Sequence, residues 1–197
     1  MWGVAERKGK GMKKLLVLMM VVLLGMTVSF IVGCGSGDTA TAKQDLKQAE
    51  ADYNTLNKDL TQLQGQLTTA IGGAFSGNYA TVTPQVVQSA EASISKALAE
   101  MPKIKADYQK VDSLKGVADY QAYADAMVKA IDASAKALSE GKKFIDGLIP
   151  IASNQAAMPQ YFQTNAAAIT SLQTLENDAT TANQKAQSIK QDKKLTF

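Results

Sequence analysis

The chain has 197 residues, of which 46% are hydrophobic, 20% charged and 6% aromatic, enough for one domain with a real core. A single Cys excludes an internal disulfide framework and any Cys-only zinc site, and the lack of His removes the commonest general base and metal ligand. Twenty-one Lys and Arg face eighteen Asp and Glu, a balance too hydrophobic and too weakly charged for a wholly disordered chain.

Lys13 and Lys14 precede an uncharged apolar run from Leu15 to Gly33, and the only Cys, Cys34, follows directly. A basic start, an apolar stretch and a small residue at the cut predict a secretory signal. Ile31, Val32, Gly33 and Cys34 resemble the lipobox of bacterial lipoproteins. The resemblance covers about the first sixth of the chain and implies location rather than activity. It implies that residues 1–33 are a cleaved signal peptide, that the Cys34 thiol carries lipid, and that the new amino terminus is acylated. The body is then anchored to the cell membrane or outer membrane, facing the extracytoplasmic side. The alternative is an uncleaved helix, since the run from 15 to 33 approaches the ~20 residues needed to span a bilayer. Both readings leave the positive end inside and the body outside. Glu6 to Gly11 can be encoded entirely by purines, like a translated ribosome-binding site, so Met12 is the expected true start.

Beyond the signal the composition changes. Residues 1–33 hold five of the cations (Arg7, Lys8, Lys10, Lys13, Lys14) and one acid, Glu6, which leaves sixteen Lys against seventeen acids, near −1. No Arg remains and the Lys are interspersed with acids, so no nucleic-acid partner is expected.

Residues 34–40 read as the lipidated Cys and a flexible tether, Gly35-Ser36-Gly37. Thr41 to Gln44 fits a capping box. Leu46, Ala49, Tyr53, Leu56, Leu60, Leu63, Leu67 and Ala70 then recur at 3-4 spacing, the a/d seam of a helix over about 42–71. Gly72-Gly73 is its expected stop. The Leu, Asp, Asn and Gln heptads of this segment are faintly similar to those of murein lipoprotein. After a loop over 72–83, Thr83 and Pro84 form a cap and first-turn proline. Val87, Ala90, Ile94, Ala97, Met101, Ile104, Tyr108 and Val111 make the second seam, which Pro102 is expected to kink or split. Asp112 to Gly116 form a turn.

The third seam runs through Val117, Tyr120, Ala124, Met127, Ile131, Ser134, Leu138, Gly141, Ile145 and Leu148. Ser134 and Gly141 weaken it and predict fraying or a bend, and Pro150 stops it. Residues 150–159 read as a loop or short turn. The last seam carries Phe162, Ala166, Ile169, Leu172, Leu175, Ala179, Ala182, Ala186 and Ile189, and residues 192–197 read as a polar tail. No period-2 run predicts a strand. The expected fold is all-α, an antiparallel up-down-up-down four-helix bundle over 41–191 with coiled-coil-like seams. An elongated hairpin that dimerises along the first seam is its rival, so a homo-oligomer stays open.

Chemistry is thin. Ala-Asp-Tyr occurs at 51–53, 106–108 and 118–120, which reads as core tyrosines beside solvated acids rather than a repeat unit. Asp125 and Asp132 share a helix face with Asp119 nearby, but a bundle di-metal site pairs Glu with Glu-x-x-His, so a solvated face is the plainer reading. No Gly-x-Ser-x-Gly elbow, phosphate loop or haem-attachment motif is present. No enzyme activity, cofactor or metal is expected. Two functions follow. The first is a non-catalytic, lipid-anchored envelope scaffold or interaction module, engaging an envelope protein through an apolar stripe at Leu56, Leu60 and Leu63. The alternative is a small-ligand-binding helical bundle with a pocket at Tyr108, Tyr120, Tyr123, Tyr161 and Phe162.

Overall fold

The computed structural model describes residues 37–197, so Cys34, the lipobox, the proposed start at Met12 and tether residues Gly35 and Ser36 lie outside the described residues. The described chain is helical, with no strand among these residues. Its α-helices are α1 (Gly37–Phe75), α2 (Pro84–Gln109), α3 (Ala118–Leu148), the short α4 (Met158–Thr164) and α5 (Ala166–Asp192). Three single 3-10 turns lie at Tyr79–Thr81, Lys110–Ser113 and Ile149–Ile151.

The helix ends follow local chemistry, and not always as the sequence suggested. Thr83 caps α2, its side chain accepting from the Val86 N–H at 3.3 Å, with Pro84 in the first turn. Pro102 does not split α2, which continues unbroken to Gln109. Nor does Thr41 form the expected capping box: α1 already begins at Gly37, and the Thr41 hydroxyl donates back to the Gly37 carbonyl at 3.0 Å. Gly72-Gly73 does not end α1 either. The helix passes through both, and the left-handed residue that closes it is Gly77, at φ +85°. Gly73 serves a different need. A Cβ there would collide with the Thr81 side chain, whose hydroxyl donates to the Ala70 carbonyl at 2.7 Å and straps the following turn onto the helix. The last segment divides at Asn165, whose amide donates to the Tyr161 carbonyl at 2.9 Å, giving α4 and α5 instead of one helix.

Neighbouring helices meet in fixed register. Asp59 of α1 pairs with Lys96 of α2 at 2.8 Å. Glu91 and Lys105 of α2 pair with Lys142 and Asp132 of α3, so numbers rise along one helix as they fall along the next. Asp119 at the start of α3 pairs with Lys193 just past α5. These exposed or half-buried pairs set register more than stability. Close packing runs α1 to α2, α2 to α3 and α3 to α5, whereas α1 and α5 approach each other weakly at most.

Burial falls into two separate cores. One gathers Leu46, Tyr53 and Leu56 of α1, Met101 and Tyr108 of α2, and Tyr123, Met127 and Ile131 of α3. The tail at 192–197, expected to be polar, folds back and buries Leu195 and Phe197 in this core. The other core gathers Leu63 and Ile71, Val87 and Ile94, Phe144, Ile145 and Leu148, with Met158 and Phe162 from α4. Each such aliphatic side chain contributes about 1.5–3 kcal/mol on burial. Between the cores α3 has no buried residue from Asp132 to Lys143.

Candidate functional site: an apolar cleft at the waist

The gap between the cores is a cavity of about 160 Å³. Leu60, Leu63 and Leu67 of α1, Ile94 and Met101 of α2, Leu138 and Phe144 of α3, and Leu172 of α5 make its walls overwhelmingly hydrocarbon. Its origin is a volume deficit on seam positions. Where α3 needs large residues it has Ser134, Ala137 and Gly141, and α5 presents Ala179. The fraying expected at Ser134 and Gly141 does not occur; the helix stays continuous from Ala118 to Leu148 and the missing volume becomes space. A Cβ built on Gly141 would meet only Leu172 Cδ2, at 3.9 Å. Both α1 and α5 contribute walls, yet these two helices pack against each other weakly at most.

One acid lines this cleft. Glu176 is half-buried on α5, and burial pushes its carboxyl up to about 7. No neighbouring charge contributes to that rise, so the cause is loss of water around the ionised form. The other polar groups on the walls are neutral: Tyr53, Asn57 and Gln64 of α1 and Ser134 of α3. Burial also raises the Tyr53 phenol, with Asn57 and Ser134 opposing it by hydrogen bonding, so the phenol keeps its proton at neutral pH.

The residues singled out in the sequence lie elsewhere. Tyr108, Tyr120, Tyr123, Tyr161 and Phe162 do not form one pocket. Tyr123 packs edge-on to Tyr108 at 6.2 Å and against Phe197 at 5.4 Å, and Tyr120 lies 6.2 Å from Phe197. Tyr161 and Phe162 sit in the other core around Phe144, at 5.4 and 5.8 Å, where the Tyr161 hydroxyl donates to the Phe144 carbonyl at 2.6 Å. Tyr123 and Phe144 are twenty-one residues apart on one helix, about 31 Å. These aromatics plug two ends instead of lining one site. The stripe of Leu56, Leu60 and Leu63 is not an outward face, because Leu56 and Leu63 are buried and Leu60 lines the cleft. Asp119 and Asp132 are held by lysines and Asp125 is exposed, and no group of three acids or thiols in metal-binding range occurs among the described residues.

Two glutamates escaped the sequence reading. Glu50 is 3% exposed, and its Oε1 accepts from the Tyr123 hydroxyl and from Lys190 Nζ, both at 2.6 Å. Lys190 also lies 4.1 Å from the centroid of the Phe197 ring, a cation–π contact. Burial, with the Glu50 charge adding to it, holds the Tyr108 and Tyr123 phenols well above their usual range. Glu176 did carry a signal: it lies four residues after Leu172 and three before Ala179, on the seam itself.

The chain matches no family model, no curated protein and no solved structure. Among the described residues no helix is long and apolar enough to cross a membrane.

Proposed function

We propose that this is a lipid-anchored extracytoplasmic protein whose four long helices form an up-down-up-down bundle that holds a small apolar or amphipathic molecule in the cleft at its waist. The lipobox-like sequence ending at Cys34 supports the anchor. Alternating register across α1, α2, α3 and α5 supports the topology.

The cleft carries the functional reading. Hydrocarbon walls around one carboxylate and a few neutral polar groups are the composition of a ligand site, and the weak packing of α1 against α5 supports a way in between them. Its volume of about 160 Å³ suits a ring or short chain: an engineered apolar cavity of about 150 Å³ in another protein takes benzene. This reading takes precedence over an envelope scaffold because the leucines assigned to the partner stripe face inward. The protein acts by binding, since Glu176 has only the weakly acidic Tyr53 phenol for titratable company in the cleft.

One preparation tests both halves. The full chain is extracted from envelopes, weighed by mass spectrometry and transferred to zwitterionic nanodiscs for titration with benzyl alcohol. The expected result is a mass beginning at an acylated Cys34, and saturable binding that Gly141→Leu abolishes while circular dichroism stays unchanged. Residues 12–33 still attached with a bare thiol would overturn the anchor. Absence of saturable binding by the unaltered chain would overturn the ligand site.

A further inference from the structure

The cleft has an electrical asymmetry that narrows the chemistry of its guest. α1 contributes Tyr53, Asn57 and Gln64, all neutral. α2 contributes Ile94 and Met101. α3 contributes Ser134 and otherwise carbon. α5 alone brings a charge, Glu176. No Lys lines the cavity. The cations of the α3 waist are engaged or directed away: Lys142 is held by Glu91 and Asp146, Lys143 pairs with Glu140 at 2.6 Å, and Lys136 is exposed. The proximity of Gly141 to Leu172 and the pairing of Asp119 with Lys193 fix the α3–α5 register, and place Glu176 level with Ala137, among the small lining residues Ser134, Ala137 and Gly141.

We propose that the cleft is a site for a small apolar amine, a ring or short hydrocarbon bearing one protonated nitrogen, with Glu176 as its counter-ion. This inference rests on the reading of the cleft as a ligand site and adds the identity of the head group. The three charge types of guest meet different fates. A carboxylate guest sets like charges together in a low-dielectric wall. A neutral guest covers Glu176 and removes more of its water without replacing it. An ammonium replaces that water with an ion pair, and Asn57, Gln64 and the Tyr53 hydroxyl offer oxygens for its remaining N–H groups.

The same placement makes capture dependent on pH. The carboxyl of Glu176, raised by burial to about 7, is protonated in mildly acidic solution and ionised in mildly alkaline solution. An ammonium guest therefore binds best above pH 7, and binding below it displaces a proton from Glu176. Tyr53 keeps its proton across this range and does not contribute.

The test uses the full chain in zwitterionic nanodiscs, with empty nanodiscs as reference, titrated by fluorine NMR. The probes are 4-fluorobenzylamine, 4-fluorobenzyl alcohol and 4-fluorobenzoate, which share one body and differ in the head. At pH 8 the amine is expected to bind at least tenfold more tightly than the alcohol, with the benzoate weakest. At pH 5.5 the preference for amine over alcohol shrinks below threefold. Glu176→Gln, which keeps shape and removes charge, erases the preference at both values. Equal binding of amine and alcohol at pH 8 overturns the counter-ion role while leaving the ligand site standing. A preference that survives Glu176→Gln, or that does not change with pH in the unaltered chain, overturns it as well. Failure of all three probes removes the cleft as a ligand site, and this proposal with it.

Discussion

The two submerged glutamates of this molecule have opposite circumstances. Glu50, in the core that holds Tyr123 and Phe197, is the more deeply buried, yet a phenol and an ammonium satisfy it at 2.6 Å. Glu176, at the waist, keeps more contact with water but lines a cleft with no charged partner, and its proton affinity rises accordingly. The two acids differ in what the fold supplies them: Glu50 has a phenol and an ammonium, whereas Glu176 has neither. The paired glutamate belongs to a structural knot that pins α1, α3, α5 and the last residues together. The unpaired one is the acid around which the ligand site is proposed.

Breaking the knot should have the largest effect. Glu50→Ala leaves Lys190 and the Tyr123 hydroxyl facing each other without their acceptor, and removing one partner of a buried pair costs about 3–5 kcal/mol. Urea unfolding at pH 7 is expected to show a loss near the lower end, because the Lys190 side chain retains 19% exposure. A loss under 1 kcal/mol would place the knot among ordinary surface pairs.

Glu176 should behave in the opposite sense. Below the ordinary carboxyl value of 4.5 the folded and unfolded chains both keep this proton. Between 4.5 and about 7 the unfolded chain gives it up while the folded chain holds it, so stability falls as pH rises through that window, and the full penalty is present above it. Glu176→Gln is therefore expected to stabilise the protein at pH 8 by up to about 3 kcal/mol, at ~1.4 kcal/mol per pH unit of displacement. At pH 4 it should change little. Denaturation midpoints at the two values give the comparison, and equal effects at both would show that Glu176 titrates normally.

The smallest expected effect lies on the far wall of the cleft. Gly141→Ala adds a methyl with an ordinary contact to Leu172 and removes a mid-helix glycine, for a gain of about 0.5–1 kcal/mol. Thermal unfolding should register it as a small rise in midpoint. A fall would mean that the waist is tighter than its geometry.

Helical periodicity exposed much of this fold. All eight residues of the second seam, from Val87 on α2 to Val111 in the turn that follows it, are buried, because 3-4 spacing is a local property written directly in residue order. On α1 the seam members left half-buried are Leu60 and Leu67, and on α3 they include Ser134, Leu138 and Gly141; all of these line the cleft. Ser134 and Gly141 were visible as weak points, but one sequence does not tell whether a weak seam bends the helix or leaves a void, since neighbouring helices decide it. Gly72-Gly73 misled for a similar reason. Gly73 meets a tertiary demand, the close approach of Thr81, whereas the local demand for a left-handed residue falls on Gly77. The aromatic pocket failed because sequence proximity to helix ends does not say which end. The tail misled because its polar composition hid Leu195 and Phe197, two apolar anchors that are enough to fold it back.

Helix α1 also sets a height. Its first described residue, Gly37, lies three positions past Cys34, while Asn57 on the cleft wall lies twenty residues farther along, about 30 Å at 1.5 Å per residue. The polar headgroup layer of one leaflet is only about 5–8 Å deep. With Cys34 acylated and α1 standing upright, the mouth of the cleft clears the lipid surface by several times that depth. If the proposed anchor and ligand site both hold, a guest is exchanged with the surrounding water rather than drawn laterally from the bilayer, and solubility, not lipid partitioning, governs what reaches the cleft.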